Sequence, residues 1–441
     1  MGLDALHELT QVITKNKLRD VELLHPASTG RTKLMEFYEW LLDNRSATDE
    51  EALTHFYDDE GQYKSYEKLK FTLKNRLINT VFFIDIKRPS YNDRKRAYYE
   101  CYKDWAAAKV LLSRNARITG MELCRKILKQ AKRFEFTELT LDIYRMLRLH
   151  YGTIEGDIKK FEKYNAQFKY YEALWQQENL AEELYTNLII RYINAKANTE
   201  DITKKAREAL QQIEPALAKY SAYKLQLCGL LIRLLIHSTT NDQEQTLKIC
   251  HDSIKLFKAK KYNADVPLQA CYHQLLISCI QLRKFEQGQE AATACLQLAS
   301  EGSFNWFKYQ ELFFLLSMHT GEYQNAYRTW QHITNHKKYR FLSENNQEIW
   351  RIYGAFVHYL VELGHVTSKL TDEFERFRIQ KFVNDTPIYS KDKSGMNIPI
   401  TIVQIIFMIA YRKYDNAIDR IEAIEKYCYR HLTDSATLRS N

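Results

Sequence analysis

Apolar residues recur every three or four positions along nearly the whole chain, the spacing that collects them on one face of a helix. Leu3, Leu6, Leu9 and Ile13 form the first stripe, expected to pack along the helices of the array. A breaker cluster, His25-Pro26-Ala27-Ser28-Thr29-Gly30, is a joint. Leu34, Phe37, Tyr38, Leu41 and Leu42 then predict a helix over 32–44. Thr48, followed by Asp49, Glu50 and Glu51, is the N-cap of a second helix ending near 58–61. Leu69, Leu73, Leu77 and Val81 give a third over 63–84. The break at 86–93 closes an N-terminal helical module, 1–96.

From 97 to 441 helical runs alternate with short turns. The pattern predicts pairs at 97–114 with 117–133, 135–150 with 155–176, 181–197 with 201–215, and 221–237 with 241–258. It continues at 267–282 with 285–299, 305–319 with 322–336, 345–363 with 368–383, and 397–411 with 414–430. A period of about 42 residues marks a solenoid, because each pair needs its neighbours to bury its apolar face. The expected fold is therefore all-α: a superhelical solenoid of about eight helical hairpins behind a small helical module. Only 13 Gly and 6 Pro in 441 residues agree with long uninterrupted helices.

Two turns carry the clearest signature. Phe285 is followed three positions later by Gly288, and Tyr323 by Ala326. Trp330 and Ile333 come next at fixed offsets, as do Ala292 and Cys295 in the earlier unit. Tyr414, Ala417, Ile421 and Ile424 repeat the set, and Gly120, Cys124 and Ile127 do so early on, with Arg117 at the aromatic place. These units resemble tetratricopeptide repeats. The resemblance implies that the small residue lets two helices approach, while the aromatic fills the space toward the next hairpin. It also implies that the first helices of the pairs line a concave surface holding a partner peptide or helix. On the matched units that surface would offer Gln274, Ser278, Gln281, Lys308, Gln310 and Glu311.

Charge adds a second surface. Residues 61–133 hold 19 Lys/Arg against 6 Asp/Glu, more than the net +9 of the whole chain, while 36–60 is acidic. Lys64, Lys68, Lys70, Lys74 and Arg76 on the third helix could face phosphates, as in a helix-turn-helix module, or pair with the acidic second helix. Arg125, Lys129, Lys132 and Arg133, with Arg114, Arg117 and Lys126, form a further patch for an acidic partner or nucleic acid.

The remaining signals narrow the chemistry. Eight scattered cysteines without a C-x-x-C pair fit reduced thiols and a cytoplasmic setting. No signal-peptide order or myristoylation pattern opens the chain. The apolar run 398–411 is too short for a bilayer. No phosphate-cradling loop or hydrolase signature occurs. Cys250-His251-Asp252 is contiguous, so its side chains diverge and form no triad. His332 and His336 share a helical face, but two ligands do not make a metal site, and interaction with the last carbonyls of their helix is expected. No cofactor is implied.

The expected function is a non-catalytic protein-interaction scaffold. The alternative is a sensor-regulator of the kind known in bacteria, with a DNA-binding N-terminal module controlled by a ligand in the array. The stretch 384–399 is expected to be a connector. Residues 433–441 look like the start of another helix, so 401–430 should expose an apolar face to a dimer partner or to further chain.

Overall fold

In the computed structural model, the described residues are 3–10 (without 5 and 8), 32–57 (without 46), 62–86 (without 85), 92–194, 199–367 and 397–431. They are predominantly helical, and no strand occurs among them. The chain separates into two compact units, Met1–Phe134 and Glu135–Asn441. The boundary read from sequence after 96 lies one hairpin earlier, because the fourth and fifth helices pair within the first unit.

The first unit contains α1 (Lys33–Asp43), α2 (Asp49–Phe56), α3 (Tyr63–Val81), α4 (Asp93–Ser113) and α5 (Arg117–Arg133). Thr32 and Thr48 cap α1 and α2; at Thr48 the cap is reciprocal, with Glu51 N–H donating to Thr48 and Thr48 N–H donating to Glu51 Oε2 at 2.8 Å. Leu34, Phe37, Tyr38 and Leu41 of α1 close over Ala52, Tyr66, Leu73 and Leu77. Leu3 and Leu6 enter this same small core instead of running along the array, tied down by Leu3 N–H donating to Asp49 Oδ2 at 3.1 Å. Ile13 lies outside the described residues, as does the 25–30 joint. In the α4–α5 hairpin Gly120 is where the helices touch: a Cβ there would sit 2.8 Å from Leu112.

The second unit is a linear stack of helices, each touching mainly those one or two places away, as in a helical-repeat solenoid. It runs through α6 (Thr137–Thr153), α7 (Ile158–Asn194), α8 (Thr199–Lys219), α9 (Tyr223–Thr240) and α10 (Gln243–Lys258). Next come α11 (Asp265–Leu282), α12 (Phe285–Leu298), α13 (Phe304–His319), α14 (Tyr323–Thr334) and α15 (Glu344–Glu362). Further along the chain are α16 (Asn397–Ala410) and α17 (Tyr414–His431). The helix expected at 368–383, the 384–399 connector up to residue 396, and 433–441 lie outside the described residues.

The predicted break near 177–180 is absent, and α7 runs 37 residues without interruption. Leu174, Glu178, Ala181 and Leu188 are buried on one continuous stripe through the supposed turn. Glu178, 3 % exposed, accepts a hydrogen bond from Thr137 Oγ1 at 3.0 Å. A buried carboxylate therefore occupies a place where the apolar pattern shows a gap. The repeat period suggested a turn that no Gly or Pro supports.

Six turns close with the same backbone device. A left-handed residue follows the helix, and the next N–H donates to a carbonyl five residues back, sealing carbonyls the helix leaves open. The bonds are Ala116 to Leu111, Asp242 to His237, Lys284 to Cys279, Glu322 to Ser317, His365 to Leu360 and Lys413 to Met408, at 2.8–3.1 Å. The left-handed residues are Asn115, Asn241, Arg283, Gly321, Gly364 and Arg412. The small residues sit as the nesting idea requires: Ala326 is 0 % and Ala417 3 % exposed. A Cβ on Gly288 would lie 2.6 Å from Leu316 in the next hairpin and 3.0 Å from Cys279 in its own. The Phe285 ring lies 6.4 Å from Phe313 and that of Tyr323 5.8 Å from His365, each toward the following hairpin.

Candidate interaction surface

The first helices of successive hairpins, α11, α13 and α15, are joined by a ladder of polar and aromatic side chains. His273 on α11 meets the Tyr309 ring on α13 at 5.9 Å. Lys308 pairs with Glu311 at 3.0 Å, one turn along the same helix. Tyr353 on α15 donates to the same Glu311 Oε1 at 3.4 Å and stacks on Phe314 with ring centroids 4.5 Å apart. Burial, then the Lys308 charge, holds the His273 imidazole below its ordinary value. Burial, then Glu311, pushes the Tyr353 phenol up, so both rings are neutral near pH 7.

The six residues expected here divide. Gln281 and Lys308 are exposed, and Gln274 and Glu311 are half-buried. Ser278 and Gln310 are not surface groups. Ser278 is 0 % exposed and donates to Gln243 Oε1 at 2.7 Å, bridging α11 to α10; Gln310 is buried on α13. Both are polar residues absorbed between helices, where each buried polar atom needs a partner. Sequence reasoning passed over His273, Tyr353 and Arg351. Arg351 was findable: it stands 13 residues before Gly364, as Lys308 stands 13 before Gly321, and both are exposed.

The basic region also divides. Lys64 and Lys68 are exposed on α3 and Lys74 is half-buried. Lys70 does not face outward. It is 4 % exposed, with Nζ 2.7 Å from Asp49 and 2.5 Å from Glu67. Tyr66 also donates to Asp49, at 2.8 Å. Burial pushes the Asp49 carboxyl up, but the Lys70 and Tyr66 bonds outweigh it and hold it below the usual range. The acidic second helix is thus bonded to the basic third. Arg125, Lys129, Lys132 and Arg133 are all exposed on α5, the first three on one stripe, while Lys126 pairs with Asp104 at 2.9 Å.

The other candidates have quiet roles. The rings of His332 and His336 pack on Trp306, at 5.6 and 5.0 Å, instead of capping their helix. His336 also faces Glu301 at 3.3 Å and accepts from Lys338 N–H at 3.2 Å. Among the described residues no group of three or more His, Cys, Asp or Glu is placed to hold a metal. Cys250 is fully buried, and the neighbouring Cys271 thiol and burial push its own thiol up. His251 and Asp252 are both exposed, whereas Cys250 is not. No described helix is long and apolar enough to cross a membrane. No protein-family model, curated protein or solved structure matches the chain.

Proposed function

We propose that the second unit is a non-catalytic interaction scaffold of tetratricopeptide type, which holds a partner peptide or helix along α11, α13 and α15. The observation that carries this reading is the ladder from His273 through Tyr309, Lys308 and Glu311 to Tyr353. Tyr309 is itself buried and braces His273; the half-buried His273 and Tyr353, with Lys308 and Glu311, give rigid aromatic edges and a few charged groups on packed helices, the combination that supplies anchors and register in peptide recognition. Lys308 and Arg351, at matching places on neighbouring helices, would read carboxylates of the partner. An array of synthetic peptides, probed with the full chain, tests this. Acidic peptides should be enriched, and Lys308→Glu with Arg351→Glu should abolish their binding while leaving the circular dichroism unchanged. A peptide profile indifferent to the double reversal removes the proposal.

The sensor-regulator alternative draws on exposed Lys64 and Lys68 and loses support at Lys70, committed to Asp49 and Glu67. A duplex-DNA shift that weakens with salt and with Lys64→Glu and Lys68→Glu would favour it over the scaffold.

A further inference from the structure

α14 and α17 carry the same motif, and among the described residues only α14 is covered. Tyr323, Ala326, Tyr327, Trp330 and Ile333 on α14 match Tyr414, Ala417, Ile418, Ile421 and Ile424 on α17, interval for interval. On α14 the outward part of this stripe is occupied. Tyr327 is 5 % exposed. Trp330 Nε1 donates to the Trp350 carbonyl at 3.1 Å, and Gly354 leaves so little room that a Cβ would lie 2.9 Å from that indole. Gln324 exchanges hydrogen bonds with the Thr367 backbone at 3.0 and 3.3 Å. The cover is thus a helix, α15, and the chain just beyond it.

On α17 the same places are open. Tyr414 is 57 %, Ile418 55 % and Ile421 50 % exposed. Large apolar side chains at helical spacing, left in water beside a buried Ala417, form an unfilled seat for a helix. The rim has changed as well. Gln324, Gln331 and Thr334 of α14 correspond to Asp415, Glu422 and Glu425 of α17. Three neutral groups have become carboxylates beside the apolar stripe, while Thr329 and Asn335 have become Arg420 and Lys426; the helix from 414 to 426 stays net acidic, and Lys426 pairs with Glu422 at 3.7 Å.

We infer that this face takes an amphipathic helix of another protein, apolar along one stripe and flanked by lysine or arginine. A second copy docking through the same stripe would set Asp415, Glu422 and Glu425 near their own counterparts, which like-charge repulsion disfavours. The seat is separate from the α11–α15 ladder and does not depend on that reading.

Two synthetic helical peptides of about 18 residues, long enough to span α17, provide the probes. They share a leucine stripe and differ only in lysine or glutamate flanks. Fluorescence anisotropy with the full chain should give saturable binding of the lysine peptide, about tenfold tighter than the glutamate peptide. Ile418→Ser with Ile421→Ser should weaken it about tenfold, since both side chains are exposed and their loss leaves the fold intact. Asp415→Asn, Glu422→Gln and Glu425→Gln together should erase the preference between peptides, and Ile193→Ser, at an exposed apolar position of α7, should change nothing. Equal affinity for the two peptides, or indifference to the serine pair, overturns the inference. So does a concentration-dependent dimer that Ile418→Ser dissolves, which would make a second copy the occupant.

Discussion

The stretch from α6 to α9 and the stretch from α11 to α14 both stack helices, by different means. In the later stretch two hairpins of similar size nest through small residues. Gly288 and Ala326 let helices close to contact, and left-handed turns at Arg283 and Gly321 set the direction of return. In the earlier stretch a single 37-residue helix serves as a spine. α8 and α9 pack along it through Leu174, Ala181 and Leu188, and α6 meets it through tyrosines, Tyr151 stacking on Tyr164 with ring centroids 5.2 Å apart. Nesting concentrates the constraint at a few positions where no larger side chain fits. A spine spreads it along the helix, so that backbone continuity becomes the vulnerable property.

The sharpest way to break this contrast is Gln176→Pro. Gln176 is exposed, so side-chain loss is harmless. In a continuous helix proline removes a hydrogen bond and clashes with the preceding turn, costing about 3 kcal/mol or more. A lower chemical-denaturation midpoint with new proteolysis near 176 is expected; a neutral result would restore the turn read from sequence. Gly288→Val tests the nested stretch. Its branched side chain must displace Leu316 and Cys279, at a cost of about 2–3 kcal/mol. Protection from hydrogen exchange should fall in α11–α13 and stay unchanged in α7.

Acid separates the stretches more gently. Burial lowers the His358 imidazole to about 4, beside Trp330 of α14. The unfolded chain takes up this proton near pH 6.5 and the folded chain only near 4, so stability is complete above the higher value and falls as pH drops between them. The loss is of order 3 kcal/mol at most, and His358→Gln should flatten the pH profile of the melting temperature. Hydrogen exchange at pH 5 should show α14 and α15 loosening before α7. The smallest effect is favourable. Arg283 holds φ 55°, a conformation that costs residues other than glycine about 1 kcal/mol. Arg283→Gly should therefore stabilise the turn by about 0.5 kcal/mol after glycine's greater loss of backbone entropy.

Much of the architecture could be read locally. Helices, the cap at Thr48, and most hairpin boundaries follow from apolar spacing and from side chains that bond to their own backbone. Gly288, Ala326 and Ala417 were legible as contact points because a small residue three places after an aromatic has a steric meaning wherever helices pair. The candidate surface was half legible. Gln274, Gln281, Lys308 and Glu311 remain accessible, whereas polarity alone could not tell that Ser278 and Gln310 are enclosed or that Lys70 is neutralised by Asp49.

Residue order and helical periodicity therefore determined that this protein is a succession of amphipathic helices with hairpin turns. Only the tertiary structure decided where a polar side chain became interior, where Arg283 and Arg412 took a conformation glycine usually fills, and where one helix ran on through an expected turn. The reason is range. Caps and periodicity act within a turn or two of helix, but the burial of Glu178 depends on Thr137, 41 residues away. The openness of Ile418 depends on which helix comes to lie beside it.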